Sequence, residues 1–185
     1  MAAFHHRHPG VDIVITDTGS RQMADEVRAG DLDVAFVGLF ADQVPADLAH
    51  RVLADEPLVA VEPGDADSGV ADLVDLAGAL SFVEMRAESG LRQQVDAVFA
   101  RAGATRRVAF ELATADAVVR FVGPGFGAAV VPRSATAGAR GEVGGVTVLE
   151  LADPAARHPI SLVHRRPEPS APSARAFLRL LASGR

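Results

Sequence analysis

Val11, Ile13 and Ile15 alternate with Asp12 and Thr16 between Pro9-Gly10 and Thr18-Gly19, the period of a half-buried strand. Ser20 then stands where it can cap a short helix whose Met23, Ala24 and Val27 share one face and which stops at Gly30. Asp33 to Val37 reads as a second strand, and strand, helix, strand with tight connections predicts a parallel pair joined by a right-handed crossover. Residues 38 to 57 show no regular period. Leu58 to Val61 is an apolar run stopped by Pro63-Gly64-Asp65, a turn signal that marks a lobe boundary.

The alternation restarts beyond that turn. Val70, Leu73, Val74 and Ala77 have helical spacing, Leu80 to Val83 is strand-like, and Leu91, Val95, Val98, Phe99 and Ala102 form a long amphipathic stripe ended by Gly103. Arg107 to Phe110 predicts a strand, and Thr114 caps a helix carrying Ala117, Val118, Phe121 and Val122. Phe126 to Val131 predicts a buried strand closed by Pro132. Residues 137 to 145, rich in glycine and small side chains, read as a surface loop. Two further strands, Val146 to Leu151 and Ile160 to Val163, precede a final helix with Ala174, Phe177, Leu178 and Leu181. Alternating βα units of this kind predict an α/β fold.

Composition narrows the function classes. With 185 residues and 49% hydrophobic content the chain can bury a real core, while its apolar runs fall short of the roughly 20 residues of a membrane helix. No secretory signal is visible after Met1, and there is no cysteine, so a cytoplasmic protein is expected. A net charge of -6 argues against a phosphate backbone as partner, since such binding needs clustered basic residues. The pairs Arg106-Arg107 and Arg165-Arg166 are too small for that.

The pieces resemble a known family from Phe4 to about Ala182. The matching residues are Phe4-x-x-Arg7-His8-Pro9-Gly10-Val11, then Asp17-Thr18-Gly19-Ser20 opening a helix, then Arg28-Ala29-Gly30-Asp31-Leu32-Asp33-Val34-Ala35. Asp72-Leu73 follows, and later Val122-Gly123-Pro124-Gly125-Phe126-Gly127 leading into Ala128 to Pro132. Each motif is weak alone; their order and spacing together are similar to the effector-binding domain of LysR-type transcriptional regulators.

The resemblance implies two α/β lobes of the type II periplasmic-binding-protein kind, with mixed, mostly parallel sheets and a ligand cleft between them. The first lobe would hold residues 1 to 62 and 152 to 185 and the second 63 to 151. In that family a winged helix-turn-helix, a linker, a first strand and most of a helix precede the residue matching Phe4, and none of these is among the 185 residues. The expectation is therefore a first lobe rearranged or completed by another chain, which a well-ordered monomer with a continuous sheet would refute. The family usually forms side-by-side dimers, so a homodimer is open to this chain.

Helix N-termini in α/β lobes present unpaired N–H groups and a dipole that favour an anion. Three are expected at the ligand: Thr18-Gly19-Ser20, residues 87 to 91, and residues 113 to 115. Thr18, Gly19 and Ser20 are effector-binding candidates as the first of these turns, and the resemblance carries effector contacts onto Ser20, onto Ser89, Gly90 and Leu91, and onto Thr114, each hydroxyl residue being equally an ordinary helix cap. Helix termini supply roughly 0.3 to 2 kcal/mol each, so three fall short of the roughly 8 kcal/mol of micromolar binding. Arg86 is the candidate charged anchor, with a solvated surface arginine as its ordinary alternative, and Gly38, Leu39 and Phe40 are candidate lining residues.

Other features favour bland readings. His5, His6 and His8 flank Arg7 and Pro9 at a helix end, and no metal is expected there. Gly123, Gly125 and Gly127 follow a predicted helix and precede a strand, the reverse of a dinucleotide-binding turn, so no cofactor is expected. His50, His158 and His164 have no nucleophile nearby in sequence, and no hydrolase, protease or P-loop motif is present. The expected function is a small-molecule sensor without catalysis, its effector a small anion. The alternative is a solute-binding protein of the same fold serving a transporter.

Overall fold

The computed structural model describes residues 1–66, 69–137, 145–167, 169 and 171–183. The chain divides into two compact units, Met1–Val52 with Ser161–Arg185, and Leu53–Ile160. Two strands, β2 (Leu48–Pro63) and β8 (Arg157–Arg165), run through the divisions.

In the first unit, helix α1 (Ala2–Arg7) precedes α2 (Ser20–Ala29), strand β1 (Val34–Val37) and, after β8, helix α6 (Pro172–Ser183). Gly30 ends α2 at φ 94°, a left-handed conformation that suits glycine. Ala35 and Val37 of β1 face Ala24 and Val27 of α2 in one apolar cluster with Leu39, Leu48 and Val163. Phe36 points to the other side, where its ring meets Phe177 of α6 edge-on, and Phe177 meets Phe4 of α1. Helix α2 thus covers one face of the strand, while the aromatic contacts of α6 leave Phe36 on the other face 42% exposed.

The expected strand over Val11 to Ile15 does not form. Residues 11–19 belong to no helix or strand, and Val14 and Ile15 are 82% and 75% exposed. The expected parallel pair is replaced by an antiparallel one in which Val34 to Val37 oppose His164 to Ser161 of β8. Alternation prepares a segment to be a strand, but the ladder requires a neighbour with free backbone groups, and none is paired with residues 11–15 among the described residues.

The second unit holds β3 (Gly69–Ala71), α3 (Leu73–Ala79), β4 (Phe82–Met85), α4 (Gly90–Ala102), β5 (Val108–Leu112), α5 (Ala115–Val122), β6 (Ala129–Pro132) and β7 (Val146–Leu151). Val70, expected in a helix, lies in β3 because it ladders with Glu150 of β7. Residues 48–57, expected to be irregular, form the first part of β2, which carries mostly exposed side chains and so shows no burial period. Within β2, Leu58 to Val61 ladders with β6 on one edge and, from Val59, with β7 on the other. Leu58 and Ala60 face α4 through Leu91, Val95 and Val98, while Val59 and Val61 face Val118, Val119 and Val122 of α5. Burial on both faces explains the uninterrupted apolar run.

The sheets are mixed. β3–β7 and β4–β5 are parallel, and the antiparallel pairings β1–β8, β2–β6 and β2–β7 all involve the two long strands. Gly127, at φ 150°, lies where a Cβ would meet the Ser81 carbonyl at 2.3 Å, so the glycine turn between α5 and β6 serves a close backbone approach to the start of β4. The predicted loop falls mainly on residues 138–144, outside the described residues.

Candidate functional site

In the second unit the parallel pairing of Met85 with Leu112 brings the turns after β4 and β5 to one sheet edge. Arg86 N donates to Leu112 O at 3.1 Å and Ser89 N to Arg86 O at 3.0 Å, folding residues 86–89 into a tight approach to α4. Ser89 is the N-cap residue, yet its hydroxyl makes no capping bond, and no acidic residue occupies the first turn. Gly90 and Leu91 are buried, whereas Arg86 is exposed. Thr114 lies on the same edge, and its Oγ1 accepts from Ala117 N at 3.2 Å as the cap of α5. Arg86, Ser89, Gly90, Leu91 and Thr114 are therefore brought together. The end of α4 offers N–H groups with an uncommitted hydroxyl, chemistry suited to an anion.

Thr18, Gly19 and Ser20 are brought together in the first unit. The expectation that Ser20 caps α2 is corrected: Gly19, at φ 91°, is the cap residue, and Ser20 is the first helical residue. Ser20 is only 6% exposed, and its Oγ accepts from Gly38 N at 3.0 Å, tying the start of α2 to the end of β1. The hydroxyl proton remains available to donate. Thr18 Oγ1 donates to Glu26 at 3.0 Å, bracing the turn before α2. Leu39, a candidate lining residue, sits in the core at 1% exposure because its side chain completes the cluster beneath α2.

A network unseen in the sequence underlies the Arg86–Leu91 turn. Glu84, buried on β4, receives Arg92 at 2.8 Å and also Arg106, whose guanidinium stands 4.2 Å from the Phe99 ring centre. Arg92 further meets Asp96 at 3.1 Å and Glu111 at 2.9 Å and donates to Met85 O at 3.2 Å. Burial works against the charge on both arginines, but their carboxylate partners outweigh it and raise both pKa values. Arg92 is thus committed to carboxylates, and its part is to fasten the turn to the ends of β4 and β5.

Two more polar groups escaped the sequence reading. Gln94 is 0% exposed on the apolar stripe of α4; its Oε1 meets His158 Nδ1, and its Nε2 approaches Pro159 O at 3.5 Å. Burial lowers the His158 pKa, opposed by Glu56 and Asp55. A glutamine between Leu91 and Val95 on a helical stripe was the available signal. Ser161 is 1% exposed, and its Oγ has no hydrogen-bond partner among the described residues. No group of three or more metal-ligating side chains is assembled among the described residues. No described helix is long and apolar enough to cross a membrane. A cavity of about 480 Å³ lies against Leu73, Val98, Arg101 and Asp153, toward the opposite end of α4 from Ser89, and holds none of the expected site residues.

A RuBisCO operon transcriptional regulator of Allochromatium vinosum is 26% identical over 99% of this chain and 60% of its own length. The HTH-type transcriptional regulator IlvR of Caulobacter vibrioides is 31% identical over 94% of this chain and 58% of its own. A protein of Anaeromyxobacter dehalogenans named phosphonates import ATP-binding protein PhnC is 32% identical over 97% of this chain, the match taking up 36% of that protein. The chain thus spans less than two thirds of these relatives. Among solved structures, the CcmR regulatory domain of Synechocystis in complex with 2-PG superposes with TM-score 0.78 at 20% identity, over 97% of this chain and 86% of that one. The effector-binding domain of QuiR in complex with shikimate gives 0.73 at 18%, over 97% and 85%. These likenesses show the fold. The model of the LysR substrate binding domain matches residues 1–184, and the chain belongs to that family.

Proposed function

We propose that the chain is the small-molecule-sensing part of a cytoplasmic transcriptional regulator and performs no catalysis. The effector is a small anion contacted by Thr18, Gly19 and Ser20 and by Arg86, Ser89, Gly90, Leu91 and Thr114. The two sensor lobes are residues 1–62 with 152–185, and residues 63–151. The observation that carries the site is the start of α4, where the Ser89 hydroxyl makes no capping bond and the first turn holds no acid, so the helix end presents donors to an anionic guest. Nucleic acid is contacted by a different segment, because this chain carries a net charge of -6. Signalling follows if the effector prefers one arrangement of the domain over another, and a homodimer is the assembly in which the response is read.

A thermal-shift screen of small carboxylates, including shikimate, tests the site. At least one compound is expected to raise the melting temperature, with Ser20→Ala or Ser89→Ala blunting the rise. No shift with any compound, or shifts indifferent to both substitutions, would sink the assignment. The second reading, a binding protein serving a transporter, draws on the Anaeromyxobacter relative, whose name is that of an import component. Genomic sequence upstream of Met1 separates the two: an in-frame helix-turn-helix supports the regulator and a signal peptide supports the transporter partner.

A further inference from the structure

Among the described residues the buried polar or charged side chains are Ser20, Glu84, Gln94, Thr147 and Ser161. Glu84 belongs to the arginine network and the Thr147 Oγ1 accepts from Ala66 N. The other three bear on one element, β8, and the segments attached to it. Gln94 reaches the His158 ring and the Pro159 carbonyl from α4. Ser161, on the next turn of the pleat, opposes Val37 of β1, and the following residue, Gly38, donates to Ser20 Oγ at the head of α2. α4 is also fastened to the approach of β8 at its far end, where Arg101 meets Asp153 at 2.7 Å and Ala155 O at 3.2 Å.

We propose that Gln94 is the positioning residue that couples the Ser89–Leu91 turn to β8, the strand that passes from the second unit into the first at Ile160–Ser161. Gln94 follows Leu91 by less than one helical turn, so a rotation or shift of α4 on effector binding moves its carboxamide directly. A carboxamide bonded to the His158 side chain and lying 3.5 Å from the Pro159 carbonyl of β8 transfers that movement as strand displacement, where an apolar side chain would slide. Around His158 stand Asp55 and Glu56 of β2, Arg157, which pairs with Asp55 at 2.8 Å, and Gln94 itself. Ser161 Oγ, buried and without a hydrogen-bond partner among the described residues, leaves on β8 a polar group that its present position does not satisfy, a feature compatible with a two-position element.

The proposal rests on the sensor reading, but its test needs no effector. Ser89→Asp places a carboxylate at the start of α4, where an anion would act. Amide exchange at Ile160 to Val163 is followed by NMR for this substitution, with and without Gln94→Leu. The expected result is a change of about fivefold or more from Ser89→Asp with Gln94 present and less than about twofold with Gln94→Leu, a coupling read as in a double-mutant cycle. Gln94→Met, of matching length, replaces Leu if that variant does not fold, and His158→Asn tests the same contact from the other partner. Equal effects of Ser89→Asp in both backgrounds, or none in either, overturn the proposal, whatever the carboxylate screen has shown.

Discussion

In the second unit Leu58–Val61 is covered by helices on both faces and laddered on both edges. In the first unit Val11–Ile15, also apolar and strand-like in pattern, joins no strand ladder among the described residues and exposes two of its large side chains. The contrast extends through the cores: two apolar clusters flank the β2, β4 and β6 strands of the second unit, while a smaller one lies beneath α2 in the first. Apolar alternation is a request for a strand, and neighbouring backbone decides whether it is granted. The second unit is accordingly the better-anchored scaffold, and local opening should concentrate in the first.

The comparison breaks most sharply at the aromatic core. Phe82 is 0% exposed and packs edge-on against Phe99 with ring centres 5.1 Å apart, so Phe82→Ala should cost about 3–5 kcal/mol. Phe36→Ala in the first unit, where the side chain is 42% exposed, should cost about 1 kcal/mol. Urea unfolding of both variants measures the difference; equal losses would remove the claim that the units differ in packing. Next in size is Glu84→Ala, expected to cost about 3 kcal/mol because two arginines lose their shared buried carboxylate. A loss no larger than that of Asp25→Ala, an exposed partner of Arg28, would mean that the network is ornamental.

A smaller effect is expected from pH. His158 binds its proton less readily in the folded chain than in the unfolded one, because burial disfavours the cation. Its contribution to stability is therefore complete above the ordinary histidine pKa of about 6.5 and is lost as pH falls from there through the lowered folded value. Melting temperature recorded from neutral to acid pH should fall more steeply in the wild type than in His158→Phe over that window. Parallel curves would show that some other group carries the acid sensitivity.

Much of this was legible in the chain. The helix from Gly90 to Ala102 follows from its stripe and from Gly103, and Thr114 caps α5 as its position requires. The turns that open α4 and α5 could be named because hydroxyl residues before apolar helices carry their own local chemistry. Three things were not legible, each for a physical reason. The first half of β2 is a strand by virtue of ladders rather than of its mostly exposed side chains. Ser20 resembles a cap in sequence, but Gly19 takes that role and leaves the hydroxyl to Gly38. Gln94 and Glu84 are paired with residues 64 and 22 positions away, and no periodicity reports a partner at that distance.

The smallest expected effect is the one that isolates the lesson of the two strands. Val→Thr removes a methyl group and inserts a hydroxyl at nearly constant shape, so its cost reports whether the site is dry. At Val61, 0% exposed between α5 and the β6 and β7 ladders, the substitution should cost about 1–3 kcal/mol. At Val14, 82% exposed, it should change stability by less than about 0.5 kcal/mol. If Val14→Thr instead costs as much as Val61→Thr in urea unfolding, residues 11–15 are buried in solution against a neighbour. The alternation read from the sequence would then mark a real strand.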